Sequence, residues 1–237
     1  MKAFLLICFL VASFGIIAIL NVPVTTQQGI NYQLHTIKLP LYLKLFNFLD
    51  RHFNYSELVE NILNGVQATE QEKALAIFTW TYNNIKKRPD ALPVVDDHVW
   101  YTIIRGYGVS DQFSDVFTTL CNYANISAFF TWIYSSDKKD RIPISFVRIG
   151  QRWCLFDPYN GIYFVNLEEK IASTEELNVG KWKPICISEL PREYVDYNRY
   201  FSNLSLTKDY YLSRARIQSP LRRVIYQIRK VIFLNDR

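Results

Sequence analysis

Residues 105–117 read Arg-Gly-Tyr-Gly-Val-Ser-Asp-Gln-Phe-Ser-Asp-Val-Phe, a glycine-rich turn running into the apolar periodicity of a helix, with Ser110 at the junction. The free N–H groups and positive end of a helix dipole favour negative charge at its first turn, so a side chain there can serve as a nucleophile if a base takes its proton. The chain has three histidines, His35, His52 and His98, and none follows Ser110. His98, in Val-Val-Asp-Asp-His-Val-Trp, is the one that could approach from the loop before the helix. Two other roles for Ser110 stand beside catalysis. Serine is a favoured N-cap, worth about 1 kcal/mol, and helix-start N–H groups can bind a carboxylate, carbonyl or phosphate.

The other reactive residue types point to no metal or disulfide chemistry. Asp96 and Asp97 immediately precede His98, but adjacent carboxylates on an extended chain face opposite ways, so a solvated or capping cluster fits better than an ion site. Cys8 lies in the first apolar run, and Cys121, Cys154 and Cys186 have no C-x-x-C spacing; they read as small buried hydrophobes. Cys121 lies roughly 16 Å along the helix from Ser110, at about 1.5 Å per residue, and cannot replace it as nucleophile. No cofactor is called for.

The elements around these residues follow from pattern. Thr69 and Glu72 have capping-box spacing before Lys-Ala-Leu-Ala-Ile-Phe-Thr-Trp-Thr-Tyr, which predicts a helix ending before Pro89. Phe113, Val116, Phe117, Leu120 and Cys121 give the helix from about Asp111 to Tyr123 its buried face. Upstream, Leu41, Leu43, Leu45, Phe46 and Leu49 form a packing face read as helix, and Leu58, Ile62 and Leu63 another, stopped by Gly65. Beyond Ser127 the period changes to alternation in Ala-Phe-Phe-Thr-Trp-Ile-Tyr, Ile-Pro-Ile-Ser-Phe-Val-Arg-Ile and Arg-Trp-Cys-Leu-Phe-Asp, with a hairpin turn at 157–161. Helices first and strands second predict an α+β domain, N-terminal helices packed on an antiparallel sheet.

The order of the 70s helix, the Gly-Val-Ser-Asp helix and strands ending Gln-Arg-Trp-Cys-Leu-Phe-Asp-Pro resembles the transglutaminase-like domain of the papain-like cysteine fold, over about residues 60 to 165. The resemblance implies a cysteine at the helix start, a histidine on a later strand and an aspartate, often followed by proline, on the next. The nucleophile position falls on Ser110, the acid on Asp157 and the histidine near Ile142 to Ile144; two of the three positions are thus changed. Losing a triad member costs on the order of 10⁴ to 10⁶ in rate, so the resemblance implies an inactive relative with degenerate positions Ser110, Ile142 and Asp157. Ser110, Asp111, Trp153 and Asp157 are its candidate binding residues. The alternative is a serine-nucleophile amide hydrolase or acyltransferase using Ser110 with His98 as base. Residues 95–130 also resemble a bacterial branch of transglutaminase-like proteins found among surface-polysaccharide genes, in which the catalytic cysteine is commonly absent; this implies a protein or glycan partner in envelope assembly.

Composition and the chain ends complete the reading. With 49% hydrophobic residues, 16 Tyr and 16 Phe in 237 residues, one well-buried domain is expected rather than disorder. The net charge of +5 sits largely near the C-terminus and forms no long basic stripe with exposed aromatics, which argues against nucleic acid. Residues 3–20 carry no charge and as a helix cover about 27 Å, which predicts an uncleaved membrane span, with Lys2 before it placing the folded part outside the cytoplasm. The expected organisation is an anchor at 1–20, a polar tether at 21–37, the transglutaminase-like domain at 38–187 and a helical tail at 188–237. In that tail Tyr194, Tyr197, Tyr200 and Phe201 read as a helix face packed on the domain, with a sugar platform as the alternative. Ser219-Pro220 opens a basic amphipathic helix carrying Leu221, Val224, Ile225, Ile228 and Ile232 along one side and Arg222, Arg223, Arg229 and Lys230 on the rest. It could dock on its own domain or lie on an anionic membrane surface.

Overall fold

The computed structural model describes residues 2–65, 69–202, 204 and 208–233. In chain order the elements begin α1 (Lys2–Leu20), β1 (Pro23–Ile30), β2 (Gln33–Pro40), α2 (Leu41–Leu63) and α3 (Glu70–Asn84). They continue β3 (Lys86–Lys87), β4 (Val95–Asp96), α4 (Val99–Arg105), β5 (Tyr107–Gly108) and α5 (Ser110–Tyr123). The remainder are β6 (Ala128–Tyr134), β7 (Arg141–Ile149), β8 (Arg152–Asp157), β9 (Ile162–Val165), α6 (Thr174–Asn178), β10 (Lys183–Cys186), α7 (Asn198–Phe201), α8 (Lys208–Gln218) and α9 (Pro220–Phe233). The chain divides into two units, Met1–Asn54 with Ala91–Asp97, and Tyr55–Asp90 with His98–Arg237.

In the first unit α1 is apolar on every side, with Phe4, Phe9 and Phe14 each at least two-thirds exposed. The expected membrane span is not found in that form: among the described residues no helix is long and apolar enough to cross a membrane. The helix stops at Leu20, where the Asn21 backbone and side-chain N–H groups both donate to the Ile17 carbonyl.

The expected tether at 21–37 is instead a hairpin. β1 and β2 pair antiparallel from Pro23↔Pro40 to Ile30↔Gln33, and β4 joins β1 at Gly29↔Asp96. Its two-residue turn, Asn31-Tyr32, has positive φ at both positions, 47° and 65°, which matches the twist of the strands. Asn31 is pinned there because its side-chain oxygen accepts from the Val94 N–H at 3.0 Å while its own N–H donates to the Val94 carbonyl. The two apolar faces read in 41–63 form one continuous helix, since no breaker lies between them. Its C-terminal part buries Tyr55 and Val59, whereas Leu43, Leu45, Phe46 and Leu49, expected to pack, are exposed.

The second unit has the predicted α+β order. Five strands form an antiparallel meander, β10-β9-β8-β7-β6, and the parallel pair β3-β5 is separate. The capping box opens α3 as the spacing predicts: Thr69 Oγ1 accepts from the Glu72 N–H and the Glu72 carboxylate accepts from the Thr69 N–H, both at 3.2 Å. Alternation gives the sheet two apolar faces. One carries Ala128, Val147, Cys154 and Phe156 against α3 and α5; the other carries Phe129, Ile144, Phe146, Trp153, Leu155 and Phe164 against Tyr197, Phe201 and Tyr211. Of the tyrosine-rich segment, Tyr197, Tyr200 and Phe201 pack on the domain as read, but Tyr194 is 90% exposed.

Tyr32 occupies a left-handed position with its side chain 90% exposed, so its β-carbon brings strain and little packing. Tyr32→Gly is expected to stabilise the hairpin by about 1 kcal/mol and to slow hydrogen exchange across residues 23–40 roughly fivefold.

Candidate functional site

α5 is held by its apolar face. Phe113, Val116, Phe117, Leu120 and Cys121 are all fully buried, and the Phe117 ring lies 5.5 Å from Phe78 and 5.2 Å from Phe156. This wedge between α3 and the sheet fixes where the helix start, and hence Ser110, can be.

Ser110 is the first residue of α5 and not its N-cap, which corrects the capping role expected for it. Val109 is the cap, extended at φ −94° and ψ 169°, and its N–H donates to Gln112 Oε1 at 3.1 Å. The cause lies in the turn before it. Gly106, left-handed at φ 69°, ends α4, and Tyr107–Gly108 then pair with Lys86–Lys87, which keeps the chain extended one residue longer. Gly108 allows Gln112 to fold back, since a β-carbon there would lie 2.9 Å from Gln112 Oε1. Asp111 is the acid in the first turn of α5. Its carboxylate already supplies the negative charge that the helix start favours, which weighs against an anionic ligand there.

His98 stands at the N-cap of α4, its ring 6.2 Å from that of Tyr101. The turn that delivers Ser110 leaves the other end of α4, about 10 Å of helix away. On β7 the expected histidine position divides by face. Ile144 is fully buried in the cluster on the side away from α5, and Ile142 packs against that cluster. The residues of this stretch that share the helix-facing side with Val147 are Pro143 and Ser145. Ile142 is therefore not the position opposite the helix, a distinction set by sheet register and invisible to a count along the chain. Ser145 and Ser114 of α5 are fully buried, and among the described residues their hydroxyls have no hydrogen-bond partner.

Asp157 ends β8 and is occupied. Its carboxylate accepts from the Asn160 N–H at 3.1 Å, from Asn160 Nδ2 at 2.9 Å and from the Tyr197 hydroxyl at 2.6 Å. Burial raises its pKa above the usual carboxylate value, and these hydrogen bonds oppose the rise. The same burial, with Asp157 beside it, raises the Tyr197 hydroxyl, which keeps its proton. Asp157 thus ties the β8–β9 turn to the segment before α7. Trp153 lies on the sheet face away from α5, its ring 5.2 Å from Tyr211, so the structure does not bring it together with Ser110.

A cluster that the sequence reading missed surrounds the first turn of α5. The Arg192 guanidinium lies 4.7 Å from the Phe113 ring centre and 4.2 Å from that of Tyr82, and donates to the carbonyls of Tyr159, Tyr82 and Ile85. Tyr159 packs edge-on against Phe113 at 5.2 Å and donates its hydroxyl to Glu193 at 2.7 Å, and Lys87 pairs with the same carboxylate at 3.1 Å. Burial lowers the Arg192 pKa, against the pull of Tyr82, Tyr159 and Asp157; guanidinium remains a cation throughout the physiological range. Cation–π contacts and carbonyl acceptors make it a fastener for residues 187–193. No local pattern announced it, because its partners come from three distant segments.

Two of the thiols offer no substitute nucleophile. Cys121 is fully buried, with its pKa raised well above that of a free thiol by desolvation, and Cys154 is pushed up to about 12 by the same cause. Among the described residues no group of three His, Cys, Asp or Glu side chains is placed to hold a metal ion.

Residues 56–158 match the family model Transglut_core, the transglutaminase-like superfamily. A transglutaminase-like domain therefore occupies this part of the mixed α+β fold. Among solved structures the chain is similar to a candidate cysteine protease from Cytophaga hutchinsonii, with 22% identity and a TM-score of 0.39 over 56% of this chain and 46% of that one. It is also similar to a TGase, at 12% identity and 0.37 over 56% and 43%. A candidate protease from Parabacteroides distasonis ATCC 8503 matches at 13% and 0.38 over 69% and 34%. The chain spans less than half the length of each of these proteins. No curated protein matches it.

Because the folded pKa of Asp157 is raised, its stabilising contribution is complete below the ordinary carboxylate value and is lost as pH rises through the folded value. Relative to Asp157→Asn, the unmodified chain is therefore expected to lose stability as pH rises above the ordinary carboxylate value of about 4, read from urea denaturation at each pH.

Proposed function

We propose that this chain is a transglutaminase-like module without catalysis, attached to a membrane and acting by binding or scaffolding. The observation that supports the reading is the register of β7, which puts Pro143 and Ser145, neither of them a base, on the side shared with Val147, and Ile142 and Ile144 on the other. A serine hydroxyl without a base is a poor nucleophile near neutral pH. The remaining acid, Asp157, is engaged by Asn160 and Tyr197.

Membrane attachment is supported by α1, whose side chains are exposed and apolar all round, and by the exposed apolar first half of α2. Exposed apolar surface on this scale is characteristic of membrane or protein contact. A setting in surface-polysaccharide assembly rests on the sequence resemblance of residues 95–130 and makes the partner a protein or glycan of the cell envelope.

A fluorophosphonate probe separates this reading from a serine hydrolase. The purified chain is expected to show no labelling at Ser110, and Ser110→Ala is expected to leave its cellular function unchanged. Deletion of residues 2–20 is expected to move the chain from the membrane to the soluble fraction. Stoichiometric phosphonylation of Ser110, with loss of fluoride, abolished in both Ser110→Ala and His98→Ala, would restore the enzyme reading.

A further inference from the structure

We infer that α9 is a second membrane contact, binding the surface of an anionic lipid leaflet. Leu221, Val224 and Ile225 lie one helical turn apart on α9, yet all three are exposed, as is Tyr226, at 37 to 46%. Among the described residues, this part of the face, from Leu221 to Tyr226, is therefore left uncovered by the domain.

Charge selects the occupant. Between Tyr210 and Asn235 the chain has six basic residues, Arg214, Arg216, Arg222, Arg223, Arg229 and Lys230, and no acidic one. Arg223 is exposed beside the apolar stripe, and Arg222, also exposed, reaches Ser127 Oγ at 3.4 Å. The sequence continues the same alternation of apolar and basic positions through Ile228, Arg229, Lys230 and Ile232. A second copy laid on this face would bring two sets of like charges together without a carboxylate between them. An anionic bilayer surface accepts both halves of the helix, apolar side chains into the acyl boundary and basic ones among the headgroups. The inference deepens the membrane-attachment reading and rests on it, because a chain already held at a bilayer meets lipid at high local concentration.

The test uses the full chain in lipid nanodiscs, both faces of which are open to protease, made of phosphatidylcholine alone or of equal parts phosphatidylcholine and phosphatidylglycerol. Tryptic cleavage after Arg222 and Arg223 is expected to be about tenfold slower in the anionic discs. The protection should disappear in Leu221→Ser/Ile225→Ser, whose altered side chains are exposed and whose cleavage sites are intact. Equal cleavage in the two compositions, with the chain held in both, would overturn the α9 contact and leave α1 attachment standing. Protection in lipid-free detergent that grows with protein concentration would overturn it in favour of a second copy. A chain that co-elutes only with anionic discs would support α9 and contradict attachment by α1, and one that elutes apart from both would contradict both contacts.

Discussion

The burial of one face of α5 against the sheet is the constraint on which the rest of the second unit depends. Five fully buried side chains, Phe113, Val116, Phe117, Leu120 and Cys121, lie between α3 and the inner faces of β6, β7 and β8. At about 1.5 to 3 kcal/mol for each large apolar side chain removed from water, this packing outweighs any single polar contact nearby. It sets the height and rotation of the helix, and so places Ser110 at one defined point relative to the strands.

The contacts around that point are cohesive. Arg192 clamps the carbonyls of Tyr82, Ile85 and Tyr159 and lies against the rings of Tyr82 and Phe113, so distant segments converge on the first turn of α5. The three donors on Asp157 join the end of β8 to Asn160 and Tyr197. In this way Asp157, one of the positions that the resemblance assigns to chemistry, serves as a joint. The buried, unpartnered hydroxyls of Ser114 and Ser145 are polar groups in a place where apolar residues would pack at lower cost.

Much of this was legible before the structure, where the signal was periodic. The period-3.6 face of α5, the capping box of α3 and the alternation of β6 to β9 each agree with the fold because local pattern and tertiary burial point the same way. The hairpin at 23–40 escaped because its turn is Asn-Tyr rather than Asn-Gly, and Tyr32 is an uncommon residue at positive φ. The face of Ile142 was not legible either. Counting residues places a position along a strand, but only the register with β6 shows that Pro143 and Ser145 face the helix. Arg192 lay furthest from reach, since its partners are separated from it by most of the domain and share no local motif with it.

The most direct measurement places a thiol at the head of α5. In Ser110→Cys the pH dependence of iodoacetamide alkylation at residue 110, followed by mass spectrometry to separate it from the native cysteines, reports the basicity of whatever stands beside that atom. A midpoint no more than about a unit below the free-thiol value of about 8.5, the reach of a helix start alone, is the expected result. A midpoint near 4, the mark of a thiolate paired with an imidazolium, would contradict the absence of a base at this site.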